Sequence, residues 1–524
     1  MTTNHRPLRK WGLAGAALAG ALLSPSVARA AVIEITPADD LQASVSALNP
    51  GDELVLGGGT YNLSQRFAID VQGTAAMPII IRAKDGETAI ITRPDANQNT
   101  INVENAAYVE LRGLEVVGGS HGIRITASSF ITIDGCHVHD TGDVGISANV
   151  PGSSYDHLTI VNNHIHNTAG TGEGMYLGCN DNGCQMHDSL IAGNWIHETR
   201  GPAVSQGDGI EVKEGSYNNV IRDNVIHDTN YPCIITYSTV GNGAANVIER
   251  NALWNCGDHG IQSAADAIIR NNIILSAAAD GIRNQPHQAG APANLTIVHN
   301  TVLKAAGDAI RSDGIVGSVT IANNALYAPA GNAIRVGGDL SALTVEANVG
   351  VGSLNGLAAG FDASGDLATD FVAASLSGAP PNDVFPKAGS HLVGAAAAAY
   401  VPSDDFNGTS RAATLDVGAY VYDDANPGWT LGAGFKDTVT NPGTGGAGGG
   451  ASSGGAGAGG QSSSSGGAGG AGGSGSDGNP TGADDGCGCA TPGASPRTGG
   501  VLFGLLAFGA LFGRARRAAK RRGA

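Results

Sequence analysis

Seven short stretches decide how this chain folds: Val161-Asn162-Asn163-His164-Ile165, Ala192-Gly193-Asn194-Trp195-Ile196, Arg222-Asp223-Asn224-Val225-Ile226, Glu249-Arg250-Asn251-Ala252-Leu253, Arg270-Asn271-Asn272-Ile273-Ile274, Val298-His299-Asn300-Thr301-Val302 and Ala322-Asn323-Asn324-Ala325-Leu326. The asparagine at the centre of each recurs at steps of 31, 30, 27, 21, 28 and 24 residues. Upstream, Cys136 and Leu114 stand in its place, and Asn348 extends the series. A second strand begins a fixed distance beyond the apolar anchor, as from Ile226 to Ile234, Leu253 to Ile261 and Ile274 to Ile282. Gly, Asn and Asp turns join these segments, and no unit carries a helical stripe long enough for a crossover.

Units of this size cannot close a core alone, but they can by stacking. Three short strands per turn at this period predict an all-β fold, a single-stranded right-handed parallel β-helix. The recurring asparagine would form an inward ladder that satisfies the turn backbone. A leucine-rich repeat would need the Leu-x-x-Leu-x-Leu spacing, which is missing. The open end of a solenoid needs a cover. Thr36-Pro37-Ala38-Asp39 reads as a helix start with proline at the first helical position, and Leu41, Val45 and Leu48 then share a face. An N-terminal capping helix is therefore expected. Asp404-Asp405-Phe406-Asn407-Gly408 to Asp416-Val417-Gly418-Ala419-Tyr420 resembles the closing segment of many bacterial β-helix proteins, which places domain closure near residue 425.

The 524 residues carry a formal net charge of -17, with 46 acidic and 29 basic side chains. All the acidic residues lie between Ala31 and Asp485, while Arg and Lys cluster at the two ends. The middle is thus strongly acidic, which argues against nucleic acid as a partner. Arg6, Arg9 and Lys10 precede an apolar stretch from Trp11 to Leu23, and Ala28-Arg29-Ala30 offers a small-x-small cleavage pattern. Residues 1–30 read as a secretory signal. The β-helix domain spans 31–425. A linker of Gly, Ser and Ala follows over 426–486, too poor in apolar surface to offset chain entropy. Over 487–524, Gly486-Cys487-Gly488-Cys489 leads to a short apolar run and the cluster Arg514, Arg516, Arg517, Lys520, Arg521 and Arg522. This tail resembles the MYXO-CTERM sorting segment of myxobacterial surface proteins, and the resemblance implies processing and anchoring at Cys487 or Cys489. The expectation is a secreted monomer anchored at the bacterial cell surface, with the cell envelope as its partner through the C-terminal segment.

Stacked coils bring residues of equal offset about 4.8 Å apart, so columns can be read directly. Ile123, Ile146, Met175, Ile210, Ile234, Ile261, Ile282, Ile310 and Ile334 serve as inward anchors. The next residue points outward, giving a column with Arg124, Ser147, Tyr176, Glu211, Ile235, Gln262, Arg283, Arg311 and Arg335. Arg283, Arg311 and Arg335 repel one another unless an anionic ligand lies across them or Asp280, Asp308 and Asp313 neutralise them locally. Tyr176 and the three arginines are the candidate substrate contacts. Lys213 and Tyr237 share the next outward column, and Glu173, Asp208 and Glu211 gather beside Lys213 as a possible calcium set, against the alternative of a solvated surface with an ion pair. His139, His166, His197 and His227 form one more column, which reads more simply as a turn preference copied from coil to coil than as a zinc site. Cys179 and Cys184 bracket a short excursion and suit a small disulfide loop in an oxidising compartment. Cys136, Cys233 and Cys256 sit at offsets that assign no pairing.

Two regions resemble the polysaccharide lyase family that contains chondroitinase B and the alginate lyases, a group with the pectin-lyase-like solenoid. Leu48-Asn49-Pro50-Gly51-Asp52 through Gly59-Thr60-Tyr61 to Pro78-Ile79-Ile80-Ile81-Arg82-Ala83 is similar to its first coils. Gly209-Ile210-Glu211-Val212-Lys213 followed by Asn219-Val220-Ile221-Arg222-Asp223-Asn224 is similar to its catalytic coil. The resemblance implies β-elimination on an acidic, uronate-containing polysaccharide, with Lys213 as base, calcium (Ca2+) held by acidic residues and an arginine on the following coil. That coil reads Cys233-Ile234-Ile235-Thr236-Tyr237-Ser238 and has no arginine, which leaves Tyr237 or Arg283 to take a related role. The alternative is a non-catalytic glycan-binding or adhesive surface protein, whose outward columns hold a ligand without cleaving it.

Overall fold

The computed structural model describes residues 1–2 and 30–436, apart from 379, 412–413, 427 and 430. The signal segment, most of the linker and the tail with Cys487 and Cys489 lie outside the described residues. Each coil holds three short strands, for example Thr159–Val161, His164–His166 and Met175–Leu177, followed one turn later by Leu190–Ala192, Trp195–Thr199 and Ile210–Val212. Like pairs with like, in parallel. The first strands of successive coils form a 13-stranded sheet, and the second and third sets run through one 23-stranded sheet.

The inward anchors pair in the register read from sequence: Ile146 with Met175, Met175 with Ile210, Ile210 with Ile234, and onward to Ile310 with Ile334. All are fully buried, each contributing about 1.5–3 kcal/mol of apolar burial. The asparagine ladder is continuous from Asn163 to Asn348. Asn224, for instance, donates its backbone N–H and its Nδ2 to Asn251 Oδ1 at 3.0 and 2.9 Å, and its Nδ2 also reaches Ile191 O at 3.1 Å. The residue before each ladder asparagine is left-handed, with φ of 56° at Asn162, 65° at Gly193 and 58° at Arg250. That kink turns the chain from the first strand to the second and aims the amide inward, where it is buried from water and bonded at both ends.

The capping helix is shorter than expected. It runs Leu41–Ser46, because Asp39 Oδ2 captures Thr36 N and Oγ1 at 2.7 and 2.9 Å and holds Thr36-Pro37 in a turn, while Asp40 caps Ala43 N at 3.0 Å. Leu41, Val45 and Leu48 do enter the core. Gln42 bonds both backbone groups of Ala68, each at 2.9 Å, and ties the helix to the early coils.

The closing segment packs along the solenoid. Phe371, Val384, Leu392, Phe406, Tyr420 and Leu431 pack against the outer side of the second strands, on Trp254, Leu275, Leu303 and Tyr327. Contacts continue past the expected boundary at residue 425: Lys436 Nζ bonds Asp223 Oδ1 at 2.8 Å and the carbonyls of Arg250 and Phe406 at 3.1 and 2.6 Å. No helix among the described residues is long and apolar enough to cross a membrane.

Candidate functional site

The third strand of each coil carries the candidate site, and outward there does not mean exposed. Glu211 and Lys213 leave Ile210–Val212 and its following turn on the same side, and Tyr237 stacks beside Lys213 from the next coil. Their side chains are buried under the turns that follow, with Glu211 only 2 % and Lys213 only 5 % accessible. Lys213 Nζ lies 2.6 Å from Glu211 Oε1, and Tyr237 donates its hydroxyl to the same oxygen at 2.9 Å. The ammonium sits between two rings, 4.7 Å from the centroid of Tyr176 and 5.1 Å from that of Tyr237. Such cation–π contacts stabilise the charged form of a desolvated lysine.

Glu173 from one coil and Asp208 and Glu211 from the next converge on this lysine, and all three are buried, with carboxylate oxygens within 4.8 Å of one another. Each keeps one oxygen without a hydrogen-bond partner: Glu173 Oε1, Asp208 Oδ1 and Glu211 Oε2. Three orphaned acceptors in one buried pocket are costly, since each forfeits its hydration. The electrostatics follow. Burial, then the Glu211 charge, pushes Glu173 up to about 8, against a 2.6 Å bond from Thr171 Oγ1. Asp208 is raised well above its ordinary value by burial and by Glu211 and Glu173. Lys213 is depressed by burial but carried above its ordinary value by the Glu211 charge and Tyr176. Tyr237 is held protonated by burial and by the neighbouring carboxylates. The three oxygens match the hard oxygen donors that calcium takes.

Tyr176 lies one coil before Glu211 and belongs to the site. The arginines lie elsewhere. Arg283 is three coils beyond Glu211, about 14 Å along the stack. Arg283 Nη1 and Arg311 Nε share Asp313 Oδ2 at 2.8 Å each, and Arg335 lies 3.9 Å from Asp308. Cys179 and Cys184 are bonded, and so are Cys233 and Cys256, while Cys136 is buried and free.

Sequence reasoning missed the cover. A loop at His287–Gly290 folds back across the coils, with the His287 ring 5.0 Å from that of Tyr237, Ala289 N donating to Glu214 Oε2 at 3.3 Å and Gln288 Nε2 to Asn180 Oδ1 at 3.2 Å. Gly290 is required there, because a Cβ would meet Ser238 Cβ at 2.9 Å and Ala264 Cβ at 3.0 Å. The available signal was length: the third-strand turn after Asn284 is far longer than the one after Ser263.

The family described as "Pel9A-like, right handed beta helix region" matches residues 26–244, and the one described as "Right handed beta helix region" matches residues 196–348. The chain is a right-handed parallel β-helix. Among curated proteins, the pectate lyase PEL9 of Emericella nidulans is 28% identical over 101 residues, covering 17% of this chain and 25% of that protein. The chain thus spans about a quarter of the length of that curated relative. Among solved structures, XylC in complex with xylose superposes with a TM-score of 0.51 at 9% identity, over 74% of this chain and 98% of that one. An alginate lyase from Paenibacillus sp. str. FPU-7 aligns at 23% identity over 63% of this chain and 97% of its own, with a TM-score of 0.39. A stretch of the chain is thus similar to a pectate lyase, and the likeness to XylC is one of fold.

Proposed function

We propose that this β-helix is a calcium-dependent lyase that cleaves an acidic polysaccharide by β-elimination. The observation that carries the reading is the set of three orphaned carboxylate oxygens on Glu173, Asp208 and Glu211, packed against one buried lysine. The stretch of identity with a pectate lyase supports the choice of reaction. A divalent cation held by these carboxylates would neutralise the uronate carboxylate and so acidify the C5 proton. Lys213 takes that proton once the cation draws off the Glu211 charge: burial lowers its proton affinity, while Glu211 and Tyr176 raise it. The C5–H and C4–O4 bonds break, a C4=C5 double bond forms, and Tyr237, which remains protonated, supplies the proton for the departing oxygen. Tyr176 holds the lysine in position, with the ammonium 4.7 Å from its ring centroid.

The same reading takes the protein as secreted and held at the cell surface by its C-terminal segment, where it meets polymer outside the cell. The test is the ultraviolet absorbance of unsaturated uronate when the purified protein meets pectate, alginate or chondroitin sulfate, with calcium and with EDTA. Calcium-dependent product from one of these polymers supports the proposal. Absence of product from all three, alongside retained polymer binding, replaces it with the glycan-binding reading.

A further inference from the structure

Away from the carboxylate site, the second strands of the early coils carry two columns of rings. His139, His166, His197 and His227 stack with centroids 5.1, 5.0 and 5.1 Å apart. Beside them runs a column of Glu115, His137, His164 and Trp195, paired coil to coil. Each member of this column reaches diagonally to a ring on the next coil. Glu115 Oε1 is 3.4 Å from His139 Nε2, His137 Nε2 is 2.8 Å from His166 Nε2, and His164 Nε2 is 2.8 Å from His197 Nε2. Trp195 Nε1 donates to His227 Nε2 at 3.0 Å.

The last pair fixes the proton pattern. An indole N–H only donates, so His227 Nε2 is an acceptor and its proton sits on Nδ1, 2.7 Å from Asp228 Oδ2. His139 has the same backing, with Nδ1 2.8 Å from Asp140 Oδ2. At its front, however, stands a carboxylate, which also only accepts. The space between His139 Nε2 and Glu115 Oε1 therefore calls for a cation, a proton or a metal ion.

We propose that Glu115, His137, His139 and His166 bind a divalent transition-metal ion of the zinc class, joining three successive coils. Ring nitrogens of the three histidines lie within 4.8 Å of one another. Three imidazoles supply nitrogen ligands, Glu115, whose Oε1 is 3.4 Å from His139 Nε2, would swing in as the fourth to complete a tetrahedral zinc site, and Asp140 supplies the carboxylate behind His139 that orients such a ligand. Seating the ion requires His137 and His166 to part by roughly half an ångström. Metal ligation needs His137 and His166 unprotonated, and burial beside neighbouring imidazoles lowers the proton affinity of both. The side chains of His139 and Glu115 stay 14% and 25% accessible, which leaves a way in.

The test uses the full chain with Cys487→Ser and Cys489→Ser, so that tail thiols do not compete, stripped with EDTA and titrated with Co2+ and then Zn2+. Stoichiometric Co2+ should give the intense visible bands of a tetrahedral site and be displaced by Zn2+. His139→Gln and His166→Gln should each remove the bands, Asp140→Asn should weaken affinity about 10–100-fold, and His197→Gln should leave the bands in place. Circular dichroism checks that every variant keeps its β signal. Should a histidine variant fail to fold, Glu115→Gln takes its place, with a shifted spectrum or weakened binding expected. Co2+ left in its octahedral aqua form, bands that survive both histidine variants, or an unchanged Glu115→Gln spectrum overturns the proposal.

Discussion

Replacing Asn251 by alanine tests whether the ladder holds the solenoid together. Asn251 Oδ1 accepts from the backbone N–H of Asn224 at 3.0 Å and from its Nδ2 at 2.9 Å, while Asn251 Nδ2 donates to Ile221 O at 3.0 Å. Alanine thus strands two donors and one carbonyl in a site with no access to water, and it leaves a small void. At about 1–3 kcal/mol for each stranded buried group, with partial relaxation, the loss should come to roughly 3–6 kcal/mol. Asn97→Ala, at an exposed turn, removes an asparagine whose groups water can satisfy and should stay within about 0.5 kcal/mol. Urea unfolding followed by circular dichroism measures both, the expected signature being a lower midpoint at unchanged slope. If Asn251→Ala costs no more than Asn97→Ala, the ladder is a passenger of the packing and the account of the turns is wrong.

Other consequences can be measured alongside. Glu173 is raised from 4.5 to about 8, so in cation-free protein its contribution is intact below the unfolded value and is lost as pH rises through about 8. Melting temperature in EDTA should fall across that window, and calcium should flatten the profile. Lys436→Ala removes the pin between the closing segment and Asp223, which keeps its bond to Arg250 at 3.0 Å. The expected loss is about 1–3 kcal/mol, together with faster proteolysis in the closing segment. Lys213→Ala should lower turnover by about 10²–10⁴ as the base is lost, while polymer binding persists.

What could be read from the chain alone was whatever repeats. The asparagine spacing and the isoleucine anchors share one cause, a turn that must kink and a face that must be dry, so register followed from them and the pairing of Ile210 with Ile234 held. The site carboxylates and Lys213 were legible for the same reason, because offset from an anchor fixes direction. Direction does not fix exposure. Glu211 and Lys213 point away from the core yet are buried, since the turns and the His287 loop that cover them vary in length and follow no period. The surface on which the closing segment packs was not read, although Ile273-Ile274-Leu275 and Ala325-Leu326-Tyr327 are apolar on both sides of the strand, a pattern that demands cover. The helix began later than expected because the side chain of Asp39 closes a turn on Thr36, a competition that the proline signal does not reveal. The Cys233–Cys256 bond joins different faces of the coil, so no column contains both.

The central claim is that Glu173, Asp208 and Glu211 form a cation site whose occupation sets the state of Lys213. Calorimetric titration of the protein with Ca2+ near neutral pH, in buffers of different ionisation enthalpy, tests it most directly. The account predicts saturable binding accompanied by proton release, because Glu173, raised to about 8, holds a proton that the ion must displace, and loss of both in Asp208→Asn. Calcium that fails to bind, or that binds without releasing protons and equally well in Asp208→Asn, contradicts it.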